Sequence, residues 1–318
     1  MSLKALVLGC TGQDGSYMTK FLLGKGYEVV GTSRSNQKNI SNHEKLGIKG
    51  LFLIKKINLL NFDEIKNLLL EENPNEIYNF SAQSSVGKSF DFPIETQQSI
   101  SLITINILEA CKKINFKGVI FFSGSSEIYG ETLCGAKIDS EMNPQNPYAI
   151  AKVESFLLVK HYRELYDLRA VTGILFPHES PLRNSNFITH KITSAAVKAL
   201  KDNNYKIKIG NLNIERDWGW AEEYIKAIHL IANTKNLKDQ IICTGQPTKL
   251  RDFIDLTFKL LDLDWKNHII SDPSLLRERD INISFGDPSQ MLNDLNWETT
   301  SKIEDIIKRL LKSKINNS

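Results

Sequence analysis

Residues 3–9, LKALVLG, form a continuous apolar run of strand length that ends in GCTGQDG at 9–15, where Gly9, Gly12 and Gly15 recur every three residues. A run this continuously apolar suits a parallel strand buried on both faces. Tyr17, Met18, Phe21 and Leu22 then fall at helical spacing, which predicts a helix over Ser16–Lys25. A glycine turn between strand and helix lets the backbone approach a pyrophosphate at the helix N-terminus. This start constrains the chain to a parallel α/β sheet with a candidate dinucleotide site at its first turn.

The rhythm continues. Further strands are expected at 26–31, 51–57, 76–80, 117–122, 168–176 and 240–243, with helices at 62–70, 94–114 and 147–166. Residues 36–50 read as a polar, irregular stretch. Alternating strands and helices make a doubly wound parallel sheet. From 177 the alternation breaks. PHESPLRNSNFITHKIT leads as a loop into a helix, a short strand covers 207–209, and Arg216-Asp217-Trp218-Gly219 is a compact turn before a helix at 221–233. Helices are expected at 250–261, 287–296 and 301–312, an isolated strand at 265–270, and a fraying end at 313–318. The fold class is therefore α/β, a Rossmann-type doubly wound parallel sheet with a smaller C-terminal substrate-binding domain. The expected boundaries are 1–176 for the dinucleotide domain, with 217–245 returning to it, and 177–216 plus 246–318 for the smaller one.

Composition excludes several function classes. Among 318 residues, 40 basic against 37 acidic ones leave a net charge of +3, too balanced for a nucleic-acid partner. No apolar run is long enough to span a bilayer, so no membrane partner is expected. The opening MSLK shows no signal peptide. Cys10, Cys111, Cys134 and Cys243 lack metal-ligand spacing, as do the six histidines, so reduced thiols in a cytoplasmic protein are expected and no metal is.

Two segments carry chemistry. Around the second strand's end stand Thr32-Ser33-Arg34-Ser35, with no carboxylate for ribose hydroxyls. An arginine flanked by hydroxyls suits a ribose 2′-phosphate, which favours NADP as cofactor. The second segment, 121–152, begins as a buried strand, turns polar at Ser123–Ser126, and continues with Glu127. It then enters a helix with Pro147 at its first turn and Tyr148 and Lys152 four residues apart, hence on one face. An ammonium one turn from a phenol favours the phenolate and makes it a usable base. Ser81-Ala82-Gln83-Ser84-Ser85 follows the fourth strand, at the edge where open parallel sheets bind ligands.

TGQDGSY at 11–17, SAQSSVGKSFDFP at 81–93, SSEIYGE at 125–131, PYAIAK at 147–152, HESP at 178–181, KIT at 191–193, and GNL with RDWG at 210–219 resemble one branch of the extended short-chain dehydrogenases/reductases, the GDP-mannose 4,6-dehydratases. The resemblance implies catalytic roles for Ser125, Glu127, Tyr148 and Lys152. Tyr148 would take the proton of the sugar's 4-hydroxyl as hydride leaves carbon 4. Glu127 would take the carbon 5 proton and assist loss of water from carbon 6, with Ser125 as a hydrogen-bonding partner. Cofactor contacts would come from Gly9, Thr11, Gly12, Gln13, Asp14, Gly15, Arg34, Asn58, Leu59, Ser81, Ala82, Gln83, Tyr148, Lys152 and His178. Substrate contacts would come from Ser84, Ser85, Ser126, Glu179, Arg183, Lys191 and Arg216, the arginines answering the pyrophosphate of a GDP-sugar. Helices at 94–114 and 151–165 would join copies into a homo-oligomer, a dimer or tetramer, or else belong to the core.

The sequence departs from the family's pattern in its substrate half. Pro177 stands where asparagine is usual, Asn184 where glycine is, and His190 where arginine is. Asn58 stands where many extended members have aspartate. The nucleotide sugar is thereby left open. GDP-D-mannose leads, and another GDP-sugar such as a GDP-heptose, or a reductase or epimerase reaction on the same fold, remain alternatives. A non-catalytic NADP-binding sensor or scaffold is the alternative of a different class.

Overall fold

In the computed structural model, which describes residues 2–34, 40–276 and 280–316, the first apolar run is strand β1 (Lys4–Leu8). Ser35, residues 36–39 of the polar stretch and the last two residues lie outside the described residues. Next in order come β2 (Glu28–Ser33), β3 (Leu53–Lys56), β4 (Glu76–Asn79), β5 (Val119–Ser123) and β6 (Ala170–Leu175). The short strands β7 (His178–Glu179), β8 (Ile207–Ile209), β9 (Glu215–Asp217) and β10 (Gly219–Trp220) follow. The last four are β11 (Gln240–Ile242), β12 (Pro247–Lys249), β13 (Ile269–Ser271) and β14 (Ile283–Ser284).

The chain divides into two compact units. The first comprises Met1–Tyr129, Ile138–Leu175 and Ile225–Ile242, and the second Gly130–Lys137, Phe176–Tyr224 and Cys243–Ser318. The segment that returns to the first unit is thus shorter than 217–245, and the loop 130–137, which sequence reasoning left in the first unit, belongs to the second.

In the first unit seven strands pair in the order β11-β6-β5-β4-β1-β2-β3, all parallel. The order reverses on either side of β1 and β4, the switch point at which doubly wound sheets bind ligands. One side chain set explains why these strands sit centrally: Leu6, Leu8, Ile77, Ile120 and Phe122 join Ile65, Leu68, Ile107 and Val159 from helices Phe62–Glu72, Ile103–Lys113 and Pro147–Tyr166 in one apolar core. Burial of that kind contributes roughly 25 cal/mol per Å² of apolar surface.

Two expectations change here. The first helix spans Gln13–Gly24, three residues earlier than apolar spacing suggests, because Gly12 serves as its N-cap. The helix expected over 94–114 is broken into Pro93–Gln97, a π-helical turn at Gln98–Leu102, and Ile103–Lys113. A π turn carries one extra residue, and apolar spacing alone does not reveal it.

The second unit is built on its own core, with Trp218, Trp220, Phe253, Phe258, Ile306 and Leu310 at its centre. Helices Ile188–Ala199, Leu250–Lys259 and Ile303–Ile315 contribute to it. The strand expected to be isolated at 265–270 is instead a 3-10 turn, Trp265–Asn267, followed by β13, which pairs in parallel with β8. Residues 215–217 and 283–284 join β12 in a three-stranded sheet. These partners are distant in sequence, which is why local patterning misses them.

Candidate active site

The first turn after β1 is held open by backbone sterics. Gly9 has φ +79°, and a Cβ there would lie 2.9 Å from the backbone of Phe80 and Ser81. A Cβ at Gly15 would lie 2.2 Å from Gly9 O, so the helix can seat on the strand only without a side chain there. Gly12, by contrast, has ordinary room, its nearest contact to a Cβ being 3.6 Å away. The helix Gln13–Gly24 begins with no side-chain cap. Its first N–H groups and the positive end of its dipole therefore face outward from the turn. Gln13 Nε2 donates to Asp14 Oδ1 at 3.0 Å, and Thr11 O accepts from Asn42 Nδ2 at 3.0 Å.

Arg34 follows β2 with 75% of its side chain exposed, 3.9 Å from Glu95. Asn58 is exposed and uses Oδ1 to cap its own turn, accepting from Leu60 N at 3.1 Å, while Leu59 is buried. After β4, Asn79 Oδ1 accepts from Ser81 N at 3.1 Å and from Ser81 Oγ at 2.5 Å. Gln83 ties the next residues together, donating to Ser85 O at 2.8 Å and Thr96 Oγ1 at 3.2 Å and accepting from Ser85 N. Ala82 packs against Tyr148 and Ile100, and Ser84 is exposed. Ser85, expected among substrate contacts, uses its hydroxyl to cap helix Val86–Asp91 through Lys88 N at 3.3 Å.

The end of β5 gathers the reactive groups. Ser123 leads into Gly124 and a 3-10 turn, Ser126–Tyr129, in which Ser125 Oγ accepts from Glu127 N at 3.3 Å. Ser125 and Ser126 are buried and Glu127 is half-buried. Helix Pro147–Tyr166 presents Tyr148 and Lys152, with the lysine Nζ 5.7 Å from the Tyr148 ring centroid. Lys152 Nζ donates to Ser123 O at 2.7 Å. Burial pulls the Lys152 ammonium down from 10.5 to about 8, with the charge of Asp14 acting in the opposite direction.

Sequence reasoning missed Asn146. Its Oδ1 accepts from Ala149 N at 2.8 Å and so caps the helix that carries Tyr148, while its Nδ2 donates to Glu127 Oε2 at 3.0 Å. One amide thus fixes the carboxylate relative to the phenol. An asparagine directly before a proline at a helix start is an N-cap signal that could have marked it.

The remaining candidates lie in the second unit. His178 Nδ1 contacts Phe176 O at 2.8 Å, and its ring lies 4.7 Å from that of Tyr224. Glu179 is buried and accepts from Thr189 Oγ1 at 2.6 Å. Arg183 lies 3.6 Å from Glu179 Oε1 and stacks over Phe187 at 3.6 Å. Lys191 is exposed on helix Ile188–Ala199. Arg216 donates to Glu215 O at 2.9 Å and faces Asp280 at 3.6 Å. Its neighbour Asp217, fully buried, accepts from Thr244 N, Thr244 Oγ1 and Gly245 N at 2.9, 2.6 and 2.8 Å, and from Gly286 N at 3.4 Å. Burial still raises its carboxyl above the ordinary value. The acidic half of RDWG thus stitches three segments of this unit. Of the departures, Pro177 O accepts from Gly219 N at 2.9 Å, Asn184 Oδ1 from Asn186 N at 3.0 Å, and His190 Nε2 lies 2.9 Å from Lys314 Nζ.

Sheet order, glycine turn and the Tyr148–Lys152 pair define an extended short-chain dehydrogenase/reductase fold. Solved structures agree. The chain superposes on dTDP-glucose 4,6-dehydratase from Bacillus anthracis in complex with NAD with a TM-score of 0.85 and 16% identity, covering 99% of this chain and 97% of that one. It superposes on RMD from Pseudomonas aeruginosa complexed with NADPH with a TM-score of 0.83 and 18% identity, covering 100% of each. The chain belongs to the GDP-mannose 4,6-dehydratase family, whose model matches residues 6–310. GDP-mannose 4,6 dehydratase 1 of Arabidopsis thaliana is 33% identical over 320 residues, 96% of this chain and 88% of the relative. Among the described residues no cluster of potential metal ligands is found, and no helix is long and apolar enough to cross a membrane.

Proposed function

We propose that this protein is a hydro-lyase that removes water from GDP-D-mannose to form GDP-4-dehydro-6-deoxy-D-mannose. The observation that carries the reading is Glu127, tied through Asn146 to the start of the helix bearing Tyr148 and Lys152. A simple reductase needs the phenol and the ammonium. A second base beside them is what dehydration adds.

The tight glycine turn at Gly9 and Gly15 and the uncapped helix after Gly12 fit the pyrophosphate of a dinucleotide. Thr11, Gln13, Asp14, Ser81, Ala82, Gln83, Asn58, Leu59 and His178 complete the proposed set of cofactor contacts. Arg34, largely exposed and 3.9 Å from Glu95, supports NADP over NAD. When bound, the nicotinamide supplies hydride acceptance from carbon 4 and its return to carbon 6.

In this reading Tyr148, as phenolate beside the Lys152 ammonium, takes the proton of the 4-hydroxyl. The 4-keto group acidifies carbon 5, and Glu127 takes that proton. The protonated Glu127 then gives a proton to the departing 6-hydroxyl, with Ser125 hydrogen-bonding there; a solvent proton finally restores carbon 5 as Tyr148 returns its own proton to solvent. Arg216, Arg183, Lys191 and Glu179 are assigned to the nucleotide sugar, together with Ser84, Ser85 and Ser126. Arg216 is put first among the cations because it belongs to RDWG and a guanidinium binds phosphate bidentately.

A homo-oligomer is proposed as well. Ile150 and Leu157 stand 53% and 52% exposed on helix Pro147–Tyr166, lining an apolar groove with Val153 and Leu158. Four free cysteines, three of them buried, fit a cytoplasmic compartment.

The test is incubation of the purified protein with GDP-mannose in deuterated water. A product lighter by one water, labelled at carbon 5, with no net NADP reduction is expected. Net consumption of NADPH would show a reductase instead, and tight NADP binding without turnover of any GDP-sugar would show a sensor.

A further inference from the structure

The polar stretch after Arg34 contains one short helix, Ser41–Lys45, that reaches back to the glycine turn. Asn42 Nδ2 donates to Thr11 O at 3.0 Å, and His43 Nε2 lies 2.8 Å from Cys10 O. A carbonyl only accepts, so Nε2 carries the imidazole proton. His43 is 1% exposed, and its ring meets that of Phe52 edge-on at 5.1 Å, which fixes its aim. Asn42 is half-buried.

These two donors complete the restraint of three successive peptide groups. Gly9 O accepts from Gly12 N at 3.1 Å and Cys10 N donates to Thr32 O at 3.2 Å, which holds the Gly9–Cys10 peptide at both ends. Cys10 O accepts from Ser16 Oγ at 3.0 Å as well as from His43. Thr11 O accepts from Asn42, while the N–H of the same peptide, on Gly12, is given to Gly9 O. A trans peptide points its N–H and C=O in opposite directions. Holding Cys10 O against Ser16 and His43 therefore turns Thr11 N–H to the other side. A peptide that rotated would put the negative end of a carbonyl where a phosphate needs a donor. Strand β2, the turn and the first helix supply the other bonds, whereas Asn42 and His43 come from a separate element.

We propose that Asn42 and His43 are positioning residues for the cofactor's pyrophosphate, holding the carbonyls of Thr11 and Cys10 away from it so that the turn offers N–H groups. Both side chains act through the backbone they grip. This deepens, and rests on, the reading of the glycine turn as a dinucleotide site. It gives helix Ser41–Lys45 a share in cofactor affinity separate from that of Arg34. Arg34 answers the ribose 2′-phosphate, whereas Asn42 and His43 act on the diphosphate that NADP and NAD have in common. Loss of either donor frees a peptide to rotate, and the effect falls on ligands that carry a pyrophosphate.

The test is calorimetric titration of the purified protein with NADP and with adenosine 2′-monophosphate, which has the 2′-phosphate but no pyrophosphate. Asn42→Ala and His43→Phe each remove one donor, the second keeping an aromatic ring against Phe52. Each is expected to weaken NADP binding about fivefold, the size of one neutral hydrogen bond, and to leave adenosine 2′-monophosphate within about twofold. His43→Gln carries its amide nitrogen close to the place of Nε2 and is expected to bind NADP as the parent does. Should His43→Phe fail to fold, Asn42→Ala, at a half-buried position, decides alone. Unchanged NADP affinity in Asn42→Ala, or an equal loss for both ligands, overturns the proposal. If the parent takes NAD instead, NAD and adenosine replace the two ligands. A parent that binds neither dinucleotide overturns the cofactor reading, and the proposal with it.

Discussion

Asn146 Nδ2 donates to Glu127 Oε2 at 3.0 Å while its Oδ1 caps the helix that begins at Pro147. The two functions of this side chain separate by substitution. Asn146→Ser keeps a good cap but loses the amide donor, so its melting temperature should stay close to the parent's. Its kcat for water elimination should fall about tenfold or more, since a hydrogen bond to a charged group is worth roughly 1.5–3 kcal/mol. Asn146→Ala loses both, with about 1 kcal/mol of stability gone as well. Unfolding curves and single-turnover assays on the two variants check this. Equal activity in parent and Asn146→Ser would separate Asn146 from the chemistry.

The glycine turn gives a paired prediction. Gly15→Ala drives a Cβ to within 2.2 Å of Gly9 O, a backbone atom that cannot move aside. Overpacking of this kind costs roughly 1–3 kcal/mol or more, and NADP binding should be lost with it. Gly12→Ala meets nothing closer than 3.6 Å and should change stability by under about 1 kcal/mol. Thermal unfolding with and without NADP distinguishes the two. Similar behaviour of both variants would contradict the geometry.

These residues also show where sequence reasoning reached and where it stopped. The parallel sheet was legible because several strands carry continuous apolar stretches, such as 5–8 and 119–122, and Gly9 breaks the first at the sheet edge. Tyr148 and Lys152 were legible because one turn of helix relates them. The Asn146–Glu127 contact spans 19 residues and runs through a cap and a 3-10 turn, so no periodicity announces it. Arg216 was found as a cation, but its facing carboxylate, Asp280, is a tertiary neighbour no local pattern supplies. Ser85 was expected among substrate contacts from the family resemblance. A serine three residues before Lys88 N is equally a helix cap, and the structure uses it so.

Arg34 tests the cofactor. Its pairing with Glu95 at 3.9 Å joins two exposed side chains, 75% and 61% accessible, and such surface pairs contribute little. Little is therefore lost when the guanidinium turns to a 2′-phosphate. Arg34→Ala should weaken NADP binding by about tenfold, a loss near 1.4 kcal/mol, and leave NAD binding within about threefold. Titration of both dinucleotides by calorimetry measures the ratio. A parallel loss for NADP and NAD would remove Arg34 from 2′-phosphate recognition.

Lys152 sets a pH dependence whose direction is fixed by its burial. Its ammonium titrates at about 8 in the fold against 10.5 ordinarily. Between those values the unfolded chain holds the extra proton, so folding stability rises with pH across this window. Below about pH 8 both states are protonated and the full cost of burying the charge is present. At 1.36 kcal/mol per unit the cost is at most about 3 kcal/mol. Lys152→Met removes the charge and keeps most of the apolar stem. Without cofactor, the variant should be more stable than the parent near pH 7, by about 1–3 kcal/mol, and catalytically silent. The advantage should shrink as pH rises toward 10.5, because the parent then sheds its own proton. Denaturant unfolding of both proteins across that range provides the measurement. A variant less stable at every pH would mean that the ammonium's bond to Ser123 O more than offsets its burial.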